Sequence, residues 1–559
     1  MTGGAPLIDA VDGYRFKPHE LPILPGSPAN PDHPTARRAA YLAIGVFMGL
    51  VGGAQNGFLL ANSPALQAEF ALTPVEVGWL TVAFYSTYAT MSMLLFRVRQ
   101  EFGIQPFIRW AMAGLIVANF IQLIGPGYYP ELAARAVAGI TASGLSALAI
   151  YYLMQGLPPA LRVGGLVISL GLTQVALPIT RALSPALMVD GDISHVFQFQ
   201  FALSLLGFGM VYLLRLPPGV RESTFEKLDI PSIGLFVIGV ASLCAFLIQG
   251  RIQWWDTSWL GYALIFAILG LGGCFLIEAN RKRPMLDLNW ISSRSILALA
   301  LIGATVRILV AEQGFGASGM FMALGYGNEQ LTGYFWILAG ASLAGIVLSV
   351  VRLDPTDLTR PVLVAILIIG IAAFADTRTG VMTRPQDLYL TQAAIAFGAV
   401  FAMGPIMMEG MLRALTAGQS YVISFIAVFS LSQSVGGLAG ISLLSAFHAV
   451  YEQDDEQVCT RSPRTCGEVW RQPRREGFDV ARCTVARLMR AMGGAPLTPA
   501  SYWMRLTRRC MIADRRAAAV SSITQIAAAS TSRSDTLGAS PKRGSNPRSV
   551  ASAVVTTTL

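Results

Sequence analysis

The sequence predicts an all-α polytopic membrane protein, and three observations support that prediction. Hydrophobic residues make up 53% of the chain and charged residues 13%, whereas a soluble globular protein has about 25% charged residues. Thirteen apolar stretches lie between Ala39 and Ala449, each close to the roughly 20 residues that a helix needs to cross a bilayer. Because backbone groups cannot remain unpaired in hydrocarbon, these stretches are expected to span the membrane as helices.

The predicted spans divide the chain into segments. We place them approximately at 39–61, 76–96, 107–124, 131–154, 163–188, 196–214, 232–249, 258–279, 295–320, 332–351, 361–376, 387–408 and 420–449. A Pro-rich segment, 1–38, precedes a bundle of six spans at 39–215. A linker and a two-helix insert follow at 216–280, and five further spans form a second bundle at 281–453. The remaining residues, 454–559, form a basic tail without an apolar span.

Basic residues give the predicted orientation. With the N-terminus in the cytoplasm, eighteen Arg and Lys residues fall in cytoplasmic segments, and only Arg251, Arg378 and Arg384 fall on the opposite side. This excess of cytoplasmic positive charge is typical of multi-pass membrane proteins. No cleavable signal peptide is recognisable before Arg37. We therefore predict a multi-pass protein of the inner (cytoplasmic) membrane with a cytoplasmic N-terminus.

Two motifs lie in the fourth and fifth spans. In the fourth span, Arg135 is followed four residues later by Gly139. The fifth span contains Gly171, Pro178 and Arg181. A proline inside a helix removes one i→i−4 hydrogen bond, so a kink is expected at this place. A plain proline kink explains the fifth-span pattern about as well as a functional motif does.

The thirteenth span holds a third motif, in which Gln433 is followed by glycines at 436, 437 and 440. These motifs and the layout of six, two and five spans resemble the major facilitator superfamily, in its fourteen-helix drug:proton antiporter branch. The resemblance covers roughly 39–453 and implies two helix bundles, of which the second lacks its sixth helix here. It also implies a proton-coupling role for Arg135 and an antiporter motif at Gly171, Pro178 and Arg181.

The candidates for proton coupling are few. Gln55 stands near the place of the branch's first-helix aspartate, and a glutamine cannot exchange a proton near neutral pH. Glu312 is the only acidic residue well inside a predicted span, and Arg307 precedes it by five residues, or about 140° around a helix. A direct pair is therefore not expected, and another helix is expected to supply each partner. Three acidic residues near span ends are expected to face an interface: Glu131, Asp376 and Glu409.

Polar and aromatic side chains within the spans predict a central substrate cavity, because polar groups in a bundle usually face its interior. The candidates for the cavity are Gln55, Asn56, Tyr85, Tyr88, Gln174 and Gln433. Interhelical hydrogen bonds without any substrate role are the competing interpretation of each of these residues.

The predicted function is proton-coupled efflux of amphipathic or aromatic small molecules by alternating access, as in a multidrug-type exporter. The alternatives are an inactive or truncated transporter, and an uptake permease on the same fold. The resemblance also implies a periplasmic adaptor and an outer-membrane channel as candidate partners. We find no phosphate-binding loop, nucleophile motif or zinc pattern, so no enzyme activity, cofactor or metal is expected.

The tail differs from the rest of the chain. It holds 17 basic and 8 acidic residues, which accounts for the whole net charge of +9. One hypothesis is that the reading frame shifts near Gln453, where the branch would continue to a fourteenth helix. The alternative is a genuine disordered tail rich in Ser, Arg and Ala. Nucleic acid is not an expected partner, because no base-reading motif accompanies the basic residues.

Overall fold

A computed structural model describes residues 27–461, except for 126, 163, 189–190, 220–224, 282–283, 285, 353, 355 and 381–382. The first part of the N-terminal segment and nearly all of the predicted tail lie outside the described residues. The described residues up to Val450 belong to one compact unit. They form helices joined by short loops, with an antiparallel bridge between Pro28 and Gly219.

The first half of the chain forms six long helices and the insert forms two more. They are α1 (Thr35–Glu69), α2 (Pro74–Phe102), α3 (Ile104–Ile124), α4 (Tyr128–Gly156), α5 (Gly164–Leu187), α6 (Ser194–Leu213), α7 (Asp229–Gln253) and α8 (Ser258–Ala279). A short 3₁₀ turn, Pro159–Leu161, precedes α5. Thr73 caps α2 in a capping box. Its side chain accepts a hydrogen bond from the backbone N–H of Glu76, and the Glu76 carboxylate accepts one from the backbone N–H of Thr73.

The second half contains long helices and several short helical turns. The segments are α9 (Leu288–Ile291), α10 (Arg294–Ala311), a π-helical turn (Glu312–Ala317), α11 (Ser318–Ala323), α12 (Thr332–Val351), α13 (Thr359–Asp376), a 3₁₀ turn (Pro385–Leu388), α14 (Tyr389–Ala417) and α15 (Gln419–Arg461). The predicted span 295–320 thus becomes α10, the π-helical turn and α11 in succession. Glu312, the predicted coupling residue, begins that turn.

Each of the thirteen predicted spans overlaps a helix of the structure. In the described part of the chain, twelve segments are long and apolar enough to cross a membrane, which makes the protein a multi-pass membrane protein. The exception among the predicted spans is α2, a helix of 29 residues that is less apolar. Serine, threonine and tyrosine residues in the middle of α2 account for the difference.

Close packing of α15 on α10 depends on the glycines that follow Gln433. A Cβ atom on Gly436 would lie 2.9 Å from the carbonyl oxygen of Ala304, and one on Gly440 would lie 2.8 Å from the Ala311 Cβ. Helices α15 and α10 therefore approach backbone to backbone, which only glycine allows.

The insert, α7 and α8, is tied to the C-terminal end of α2 by buried charges. Asp229, which is fully buried, accepts from Arg97 at 3.2 Å and from Arg281 at 2.6 Å. Arg281 also pairs with Glu226 and Glu278, each at 3.0 Å. Burial alone would lower the pKa of Arg281, but the hydrogen bonds to Asp229 and Glu226 outweigh it and raise that pKa. The network holds the insert against the first bundle.

Candidate transport site

A central cavity of about 200 Å³ lies where the two halves of the chain meet. Helices α1, α2 and α5 line it from the first half, and α10, α12, α14 and α15 line it from the second. A second cavity of about 140 Å³ adjoins it, sharing wall residues such as Asn56, Gln174 and Arg307. Most of the remaining wall is aliphatic or aromatic, so the site combines a few polar groups with a largely apolar surface.

Five of the six predicted cavity residues lie in these walls. Asn56, Tyr85 and Gln174 line both cavities, while Tyr88 and Gln433 line the second. The Asn56 amide donates to the Tyr85 hydroxyl at 3.0 Å. Both amide atoms of Gln433 are buried without a hydrogen-bond partner among the described residues. A buried polar group in this state requires water or a ligand for its hydrogen bonds.

Gln55 is placed differently from the other five. Its side chain does not line either cavity. Its backbone carbonyl instead accepts a hydrogen bond from Arg135 Nη1 at 2.6 Å. Gln55 therefore contributes to the surroundings of Arg135.

Arg135 lies in a closed ionic site within the first bundle. Its Nε donates to Glu131 Oε1 at 2.7 Å, and the exposed fractions of the two residues are 1% and 2%. The Gln122 amide donates to both oxygens of the same carboxylate, at 2.9 and 3.0 Å. The expectation that Glu131 faces an interface is therefore wrong, because the buried guanidinium draws this carboxylate inward.

Glu312 belongs to a second polar cluster, at the far end of α14 from the cytoplasm in the predicted orientation. The Gln392 amide donates to Glu312 at 3.2 Å and to Asp376 at 2.8 Å, so one side chain connects two carboxylates. The Tyr334 hydroxyl lies 3.3 Å from Gln392 Oε1. Asp376 is partly exposed at the end of α13, while Glu312 is deeper, next to Gln313 in the cavity wall.

Arg307 and Glu312 do not form an ion pair, as their spacing predicts. Arg307 Nη1 donates to Gln174 Oε1 across the interface between α10 and α5. Gln392 of α14 supplies the partner of Glu312. Each residue thus takes its partner from another helix, which is what the helical geometry requires.

Two of the three predicted antiporter-motif residues line the central cavity, and the third packs against α12. Pro178 and Arg181 line it directly. The Arg181 guanidinium lies over the Phe335 ring of α12, 5.3 Å from its centroid. A Cβ atom on Gly171 would collide with the Ile346 side chain of α12. The motif therefore places α5 in tight contact with a helix of the other half.

Comparison with known proteins agrees with this architecture. No family model matches the chain. It is 25% identical over 418 residues to the major facilitator superfamily multidrug transporter mfsC of Aspergillus fumigatus, covering 70% of this chain and 76% of the relative. It is 20% identical over 307 residues to the probable multidrug resistance protein EmrY of Escherichia coli, covering 52% of this chain and 56% of that relative. The chain is therefore similar in sequence to transporters that are named as members of the major facilitator superfamily.

A solved structure, that of the human organic anion transporter MFSD10, aligns to this chain with a TM-score of 0.45 and 14% sequence identity. The alignment covers 74% of this chain and 99% of that one.

The structure adds residues to the candidate site that sequence reasoning did not place there. Glu131 precedes Arg135 by four residues, and this i,i+4 spacing was the signal for their pairing. Gln392 has no comparable signal, because its partners lie 80 and 16 residues away along the chain. Phe335 could not be assigned either, since only the packing of α12 on α5 brings its ring beneath Arg181.

Proposed function

We propose that this protein is a proton-coupled exporter of amphipathic or aromatic small molecules that works by alternating access. The observation that carries the proposal is the central cavity, whose wall comes from both halves of the chain. A movement of one half against the other would open such a cavity to one side of the membrane or to the other. The mixed polar and apolar wall suits amphipathic molecules.

The names of the relatives supply the direction of transport. Both mfsC and EmrY are named for multidrug transport or resistance, and export is the activity that such names describe. We extend this direction to the present chain. The membrane is the inner membrane with a cytoplasmic N-terminus, and a periplasmic adaptor and an outer-membrane channel are the partners we propose.

Glu312 is the proposed coupling carboxylate of the second half. It is partly buried at the start of a π-helical turn, and π-helical turns occur often at functional sites. Its hydrogen-bond partner is a neutral amide, so a proton can bind to the carboxylate without breaking an ion pair. Asp376, on the other side of Gln392, would lie between Glu312 and the outer surface. Arg135 and Arg307 are the cationic residues of the same proposed machinery.

Transport by the full chain in vesicles with an imposed pH gradient tests the proposal. We expect uphill export of an amphipathic fluorescent dye, and loss of the pH-driven part in Glu312→Gln. The matched control is Glu409→Gln, which removes a carboxylate paired with Arg413 at the end of α14 away from this cluster. Import of the dye would indicate that the protein is an uptake permease. No transport in either direction would indicate an inactive transporter. Unchanged pH-driven export in Glu312→Gln would contradict the coupling role.

A further inference from the structure

We propose that the central cavity binds organic anions, in which an anionic group on an aromatic or aliphatic body lies between Arg181 and Arg307. This inference rests on the proposed function only in taking the cavity as the substrate site. It deepens that function by naming the charge of the substrate.

The charged groups of the cavity wall have one sign. Among the described residues that line the central cavity, Arg181 and Arg307 are the charged ones, and neither Asp nor Glu occurs. An arginine side chain stays protonated in proteins. The wall therefore presents two positive charges and, within the described part of the chain, no fixed negative charge.

Within the part of the chain that the structure describes, neither guanidinium forms an ion pair with a carboxylate. Arg307 donates to the neutral amide of Gln174, and Arg181 lies over the Phe335 ring. The Nε atoms of both arginines are buried and have no hydrogen-bond partner among the described residues. Buried charges are normally paired, because removing a charge from water is costly unless an opposite charge compensates it. The missing counter-charge points to an anionic ligand.

The remaining wall identifies the rest of the ligand. Apolar side chains from several helices surround the two guanidiniums: Leu60, Val306, Val310, Leu338, Met403 and Ile441. The rings of Tyr85 and Phe335 line the same space. A carboxylate or sulfonate accepts charge-assisted hydrogen bonds from guanidinium groups, and the apolar wall buries the hydrocarbon body. An inorganic anion would leave that wall unused.

The two arginines belong to different halves of the transporter. Arg181 is on α5 and Arg307 is on α10. An anionic group bound to both would therefore connect the two bundles across the cavity. Such a ligand would also screen the repulsion between the two guanidiniums, so it would favour the state in which they lie on either side of one cavity.

A matched ligand series on the purified full chain tests the charge preference. The probes are naphthalenesulfonate, naphthalenemethanol and naphthyltrimethylammonium, titrated calorimetrically into protein in nanodiscs of zwitterionic lipid. We expect the sulfonate to bind about tenfold or more tightly than the other two. Equal affinity of the three probes, or preference for the ammonium, would overturn the proposal.

Variants locate the binding site. Arg181→Gln and Arg307→Gln are each expected to weaken sulfonate binding about tenfold while binding of the alcohol changes little. Arg307→Lys keeps the charge and is expected to retain part of the affinity, so it tests the charge even where a glutamine variant does not fold. Arg109→Gln, at an exposed arginine of α3 outside the cavity, is the control. Full sulfonate affinity in both glutamine variants would place the anion elsewhere.

The binding experiment separates this inference from the proposed function. Calorimetry needs no gradient, so selective sulfonate binding without pH-driven export would overturn only the exporter proposal. Export of naphthyltrimethylammonium without sulfonate binding would overturn only the substrate class.

Discussion

Arg135 in α4 is a buried arginine and Arg307 in α10 a half-buried one, and the two charges are compensated in different ways. The guanidinium of Arg135 pairs with the Glu131 carboxylate at 2.7 Å and also donates to the Gln55 carbonyl. Among the described residues, the side chain of Arg307 donates to the neutral amide of Gln174, and its Nε has no hydrogen-bond partner. The first arginine forms a neutral pair, whereas the second remains a net charge.

The space around Arg135 also differs from the space around Arg307. The space beside Arg135 and Glu131 has a volume of about 10 Å³, too little for a ligand, whereas Arg307 lies in the wall of a cavity of about 200 Å³. A closed ion pair stabilises one arrangement of helices, because separating it would leave two buried charges. An uncompensated charge beside a cavity is available to a ligand. The comparison therefore assigns a structural or coupling role to Arg135 and a ligand-binding role to Arg307.

The largest expected effect comes from breaking the closed pair. Arg135→Gln leaves the Glu131 carboxylate buried without its cation, which we expect to lower the free energy of unfolding by about 3–5 kcal/mol. Thermal unfolding in detergent measures this change, with a thiol-reactive dye that labels the buried cysteines Cys244 and Cys274 as they become exposed.

Two further variants complete this test of the comparison. The double variant Glu131→Gln/Arg135→Gln removes both charges and is expected to recover much of the lost stability. Arg307→Gln removes a charge that has no opposite partner, so its unfolding temperature is expected to stay the same or rise. Equal destabilisation by Arg135→Gln and Arg307→Gln would show that the two arginines do not differ as described.

The sequence predicts the helices better than it predicts these partners. The thirteen apolar stretches all become helices, because a span of hydrophobic residues has no other stable conformation in a bilayer. The pairing of Arg135 depends on local spacing, but the expected exposure of Glu131 was wrong because hydropathy alone does not report a buried ion pair. Arg307 and Gln174 are 133 residues apart, so only the packing of α10 on α5 brings them together.

A smaller effect is expected when Arg307 is given the kind of partner that Arg135 has. Gln174→Glu places a carboxylate beside the Arg307 guanidinium, because the side-chain oxygen of Gln174 already accepts from Arg307 Nη1. The new ion pair would compete with an anionic ligand, so we expect naphthalenesulfonate affinity to fall about tenfold. Calorimetric titration in nanodiscs measures the change.

The control for this exchange is Gln105→Glu. Gln105 donates to the Leu216 carbonyl at the N-terminal end of α3, so the variant adds the same charge outside the cavity. Sulfonate binding should remain as in the parent protein. If Gln174→Glu binds the sulfonate as tightly as the parent protein does, Arg307 is not the residue that holds the anion.

The smallest expected effect concerns His33, a half-buried titratable group whose partner is also a neutral amide. Its Nε2 lies 2.9 Å from Gln155 Oε1, and the Gln155 amide donates to the Ala29 carbonyl at 2.8 Å. Burial lowers the pKa of His33, although the hydrogen bond to Gln155 raises it in part. Unlike an arginine, this residue can respond to burial by losing its charge.

The sign of the pH dependence follows from that lowered pKa. Neutral His33 favours the docked N-terminal segment above the unfolded pKa of about 6.5, and this contribution is lost as the pH falls through the lower folded pKa. Hydrogen exchange of the Ala29 amide, which donates to the Pro218 carbonyl at 3.0 Å, is therefore expected to become faster on acidification, after correction for intrinsic exchange rates. His33→Gln keeps a donor but cannot titrate, so its corrected exchange should not depend on pH in this range. If both proteins respond to acid in the same way, a group other than His33 releases the segment. A neutral amide partner would then not explain why His33 loses its charge on burial.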